Sequence, residues 1–126
     1  MATVTLNKTG YEANDGLESI IIVRDLADVP GGRSLDVTGW ADDVIKAGHV
    51  IIKTAAGEYK PLGVSEGAYA AIAEGETAVG VLKATVLKSE AFAAIMTQGQ
   101  VNAAACAVPV TAAIKTALPR IEFLNA

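Results

Sequence analysis

The chain has 126 residues, the size of one ordinary domain, and a globule of that length buries roughly two thirds of its unfolded surface. A net charge of −4, with ten basic against fourteen acidic residues, offers no phosphate-binding surface and argues against nucleic acid and anionic membranes as partners. One cysteine, Cys106, excludes an internal disulfide, and 52% hydrophobic content built largely on Ala and Val points to a core of small side chains.

From the N-terminus, Met1-Ala2-Thr3-Val4 has neither a basic segment nor an apolar run behind it, so no secretory signal is expected. Residues 1–16 are polar, with turn signals at Asn7-Lys8-Thr9-Gly10 and Asn14-Asp15-Gly16. Thr3-Val4-Thr5-Leu6 alternates like a short strand without a local partner. It reads either as a frayed end or as an arm that adds a strand to another chain's sheet. About eight extended residues reach roughly 25 Å.

The β-branched run Ile20-Ile21-Ile22-Val23 predicts a strand start. Asp28-Val29-Pro30-Gly31-Gly32 breaks it, and Ser34-Leu35-Asp36-Val37 predicts a second short strand. A turn over residues 42–48 leads into His49-Val50-Ile51-Ile52-Lys53. Ala56-Gly57-Glu58 closes a hairpin onto Tyr59-Lys60-Pro61-Leu62. Pro61 places that return strand at an edge or at its own end. Ala68 to Ala73 is open between one helical turn and an irregular loop.

Residues 77–86 predict a strong strand, with Gly80 marking a bulge or a close backbone approach. Ala91 to Met96 is ambiguous between strand and helix. Its shortness and the turn expected at Thr97-Gln98-Gly99-Gln100 favour strand. Asn102 stands at a helix start. Pro109 opens a helix over Val110 to Leu118, with Val110, Ala113, Ile114 and Ala117 at helical spacing, and Pro119 ends it. Ile121-Glu122-Phe123-Leu124 is the expected closing strand. The sum is a mainly β protein with one short C-terminal helix: an extended arm over 1–16 and a single β-rich domain over 17–126.

The chemical inventory is thin. His49, the sole histidine, has no second metal ligand near it in sequence and reads as a core residue. Cys106 lies among alanines, where a thiol is a small buried hydrophobe rather than a nucleophile. The acidic pairs Asp42-Asp43, Asp25 with Asp28, and Glu74 with Glu76 flank turns and lack the alternation of a calcium loop. Gly31-Gly32-Arg33-Ser34 lacks the lysine of a phosphate loop, and no nucleophile elbow is present. No catalytic, cofactor or metal site is expected. Trp40, the sole tryptophan, reads as a plug over the edge of the core, with an interface anchor as the alternative.

From Gly48 onward the order of signals is distinctive: Gly48-His49-Val50-Ile51-Ile52, the turn at Gly57, Tyr59-Lys60-Pro61-Leu62 and Ala78-Val79-Gly80-Val81-Leu82. Ala94 to Val101, Leu118-Pro119-Arg120 and Ile121-Glu122-Phe123-Leu124 follow. Over roughly the C-terminal two thirds of the chain, this order resembles the head decoration proteins of tailed phages, both the lambda-type head-stabilising proteins and the related head-fibre base proteins. The resemblance implies a β-clip or β-tulip-like homotrimer on the outer surface of the virion, assembled in the host cytoplasm. It also implies an N-terminal arm, Thr3, Val4, Thr5 and Leu6 in this chain, that pairs with the major capsid protein. The section from Leu17 to Lys46 is longer than in the lambda-type pattern. The alternatives are a small β-clip module that binds a ligand or glycan, and the base of a head fibre.

Overall fold

The computed structural model describes residues 18–124, and the expected arm at Thr3 to Leu6 lies outside them. A helical turn, α1 (Glu18–Ile21), leads into β1 (Ile22–Asp28). β2 (Arg33–Ser34) and β3 (Val44–Ile45) precede the hairpin of β4 (Val50–Lys53) and β5 (Tyr59–Pro61). A miniature hairpin, β6 (Val64–Ser65) and β7 (Ala68–Tyr69), comes next. Then follow β8 (Thr77–Leu82), β9 (Val86–Leu87), β10 (Phe92–Ala93) and β11 (Ile95–Asn102). A 3₁₀ turn (Ala103–Ala105), α2 (Ala112–Ala117) and β12 (Ile121–Leu124) complete the described residues.

The main sheet runs β1-β11-β8-β4-β5, with β12 also paired to β11. β8 meets β11 at Met96↔Val81, whereas β12 runs parallel to β11 from Gly99↔Ile121 onward. Short two-stranded pairs, β2 with β10 and β3 with β9, lie outside this sheet.

The centre of the sheet, at β4, the end of β8 and the start of β11, is buried on both faces, which explains its near-continuous apolar runs. Successive residues of β4 serve different cores: Val50 and Ile52 join one, Ile51 the other. The first core is closed by Ile21, Ile114, Leu118 and Ile121. The second is closed by Leu35, Ile45 and Ala93, with Trp40 and Val86 packed against it. Fully burying an aliphatic side chain contributes about 1.5–3 kcal/mol. Two shared cores therefore offset the brevity of the outlying strands.

A bulge makes this arrangement work. Opposite β4, the register steps from Ile51↔Gly80 to Ile52↔Ala78, leaving Val79 as the extra residue. That step inverts the alternation of β8. Val81 and Ala78 then pack on the first core, and Leu82 and Val79 on the second. Gly80 also lies against the carbonyl of Met96, so β8 and β11 approach too closely there for any side chain.

Several local expectations change. Ile20 and Ile21 are helical, and the strand begins only at Ile22. The 97–100 turn does not form: β11 continues straight through it, because β1 and β12 flank it and supply ladder partners on both sides. Residues 64–69 form a hairpin around Glu66 and Gly67, both at positive φ; of the stretch Ala68 to Ala73, Ala68 and Tyr69 belong to its second strand and residues 70–73 are irregular, without a helical turn. α2 starts later than Pro109 suggests, because the Thr111 hydroxyl accepts the Ile114 N–H and caps it. Asn102 caps the 3₁₀ turn through the Ala104 N–H, and Pro61 ends the edge strand β5.

Candidate functional site

His49 sits just before β4 and is 4% exposed. Its ring meets Trp40 edge-on at 4.9 Å and Tyr69 at 5.1 Å. Trp40 packs on the second core and Tyr69 on the first, so His49 stands where the two cores meet. Nε2 lies 2.8 Å from the Leu62 carbonyl oxygen. The Tyr69 hydroxyl accepts the Val50 N–H at 3.1 Å. Both polar rings thus tie the start of β4 to the segments that follow β5.

Burial pushes the His49 imidazole below its usual pKa, against the opposing pull of the Leu62 carbonyl. Neutral imidazole is therefore the folded form. The unfolded chain binds the proton more readily, so this contribution to stability is fully present above about pH 6.5 and is lost as pH falls through the depressed folded value. The urea midpoint is expected to drop as pH is lowered from about 7 to about 5. His49→Gln, whose amide N–H can still serve Leu62, should flatten that drop. Asp36, whose carboxylate is held below its usual pKa by hydrogen bonds from Thr38, acts only in the lower, carboxylate range. An unchanged slope in the glutamine variant would remove His49 from the account.

Cys106 is half-buried, and burial pushes its thiol up to about 11. Its Sγ–H points to the Asn102 carbonyl oxygen at 3.6 Å. A thiol held in that form is a poor nucleophile at neutral pH. Gly48 is needed beside it: at φ +85 it leaves no room for a Cβ between Ile21 and the Cys106 sulfur. Among the described residues no three metal-ligating side chains cluster, and no helix is long and apolar enough to cross a membrane.

Trp40 packs against the second core. Its Nε1–H donates to the Val44 carbonyl oxygen at 3.0 Å, and the Trp40 carbonyl oxygen accepts from Lys88 Nζ at 2.5 Å. The ring is half-buried and committed to the fold.

The unpartnered surface lies elsewhere, on β1. This strand ends the sheet order, so one of its edges has no strand partner among the described residues. Its register against β11 slips three times, leaving Val23 and Leu26 as bulged extra residues on β1 and Thr97 as the extra residue on β11. Those two side chains remain 49% and 55% exposed, and Ile20 just before the strand is 49% exposed. Lys83 Nζ holds Asp25 at 2.5 Å and Asp28 at 2.9 Å, tying β1 across β11 to the end of β8. Sequence reasoning treats Ile20 to Val23 as ordinary strand material. Leu26, isolated between Asp25 and Ala27, is the one residue whose pattern hints at an outward apolar side chain.

No protein-family model matches this chain, and neither a curated protein nor a solved structure does.

Proposed function

We propose that this chain is a bacteriophage capsid decoration protein, a β-clip-like homotrimer that binds the outer surface of the head and stabilises the shell against the major capsid protein. The observation that carries the proposal is the exposed pair Val23 and Leu26 on the edge strand β1, with exposed Ile20 in α1 ahead of it. Large apolar side chains left exposed on an edge strand favour association with another protein. Bulges at Val23 and Leu26 disfavour indiscriminate strand pairing there, so recognition rests on side-chain packing. In the sequence, Thr3 to Leu6 precede this strand.

The order of motifs that resembles phage decoration proteins supports the same reading. Two of its strongest pieces, Ala78 to Leu82 and Ile95 to Val101, lie side by side as β8 and β11. Many identical sites on a lattice allow each contact to be modest: a standard interface buries about 1,600 Å² in total.

The test is co-sedimentation with expanded phage heads stripped of their own decoration, together with the mass of the free protein. Saturable binding by a trimer, or trimerisation on the shell, is the expected result. A strictly monomeric protein that stays in the supernatant with every head tested would overturn the proposal.

A further inference from the structure

A small pocket opens beside Trp40. Its volume is about 130 Å³, of the order of the ~150 Å³ apolar cavity that takes up benzene in another protein. Trp40, Val44, Val64, Ala107 and Val108 line it together with His49. Asp42 and Lys46 add one charge of each sign to the lining.

The other end of the imidazole decides what His49 offers this pocket. The Leu62 carbonyl oxygen can only accept, so the contact at 2.8 Å places a hydrogen on Nε2. In the neutral ring, Nδ1 is then a bare acceptor. No hydrogen bond to Nδ1 is present among the described residues. Yet no enclosed side-chain nitrogen or oxygen among them lacks a partner. Nδ1 is therefore reached from outside the core although the residue is only 4% exposed, and this pocket is an opening that His49 lines.

We propose that this pocket binds a compact, uncharged, hydroxyl-bearing apolar group, a phenol or small alcohol, whose O–H donates to His49 Nδ1 while its body packs against Trp40 and the valines. An anion would face the Nδ1 lone pair. Any ion would leave its hydration shell for a mostly apolar lining. A donor hydroxyl satisfies the one open polar atom, and a six-membered ring matches the volume. This property is independent of any capsid role. The group can arrive as a free molecule or as a tyrosine side chain of a partner.

His49 and Trp40 are the only histidine and tryptophan of the chain, so their ring signals in nitrogen-15 NMR are unique reporters. Phenol and toluene have equal numbers of heavy atoms and differ in the donor. Titration with phenol is expected to shift both rings saturably, with affinity about three- to tenfold above toluene, the worth of one neutral hydrogen bond. Ala107 is exposed, so Ala107→Leu should fold normally, fill the pocket and abolish the phenol response. Competition by N-acetyl-tyrosinamide identifies a protein side chain as the source, and phenol binding without that competition identifies a free ligand. Absent shifts, equal affinity for toluene, or an Ala107→Leu variant that binds phenol unchanged would each overturn the proposal.

Discussion

Replacing Gly80 by alanine is expected to cost about 3 kcal/mol or more, a large share of the about 5–15 kcal/mol that holds a domain folded. An ideal Cβ at this position would lie 2.0 Å from the Met96 carbonyl oxygen and 2.9 Å from its carbon. Both are backbone atoms of the neighbouring strand, so no side-chain rotation relieves the overlap. Relief requires β8 and β11 to separate at the place where Val81 pairs with Met96 and where Ile95 and Leu82 are fully buried. It would also disturb the bulge that distributes Ala78 and Val79 between the two cores. Gly57, at the tip of the β4–β5 hairpin with nothing near its Cβ direction, provides the contrast. Gly57→Ala should cost only the strain of its positive φ, about 1–2 kcal/mol. Urea denaturation of the two variants measures the difference. Equal losses would mean that the close approach at Gly80 does not govern the sheet.

Joint replacement of Val23 and Leu26 by aspartate is expected to weaken binding to expanded heads by about a hundredfold or more, with little loss of stability. Burying each aliphatic side chain at an interface is worth about 1.5–3 kcal/mol, and a carboxylate in its place adds a desolvation penalty. About 2.7 kcal/mol already corresponds to a hundredfold. Both residues are bulged and about half exposed, so the free domain gives up little packing. The new charges join Asp25 and Asp28, whose shared cation is Lys83. Sedimentation with heads, alongside the thermal midpoint of the free variant, separates the two effects. Heads that retain the double variant fully would remove this edge from the binding surface.

The amino-acid sequence by itself determined the mainly β class, the β4–β5 hairpin, the closing strand after Pro119 and the demand for glycine at position 80. These are short-range properties. β-branched runs, turn residues and a proline at a helix end act through the backbone of a few neighbours. The burial of His49 was equally legible, because it stands at the mouth of the apolar run Val50-Ile51-Ile52.

Only the tertiary structure decided that Thr97 to Gln100 stays extended, since the partners that hold it, β1 and β12, lie far away in the chain. The same applies to which side of β1 is left bare, and to the opening above His49 Nδ1. Exposure of Val23 and Leu26 follows from register slips against β11, and the pocket follows from three separate chain segments meeting beside Trp40. Such features are set by long-range contacts whose loop-closure cost leaves no local trace in the residues they join.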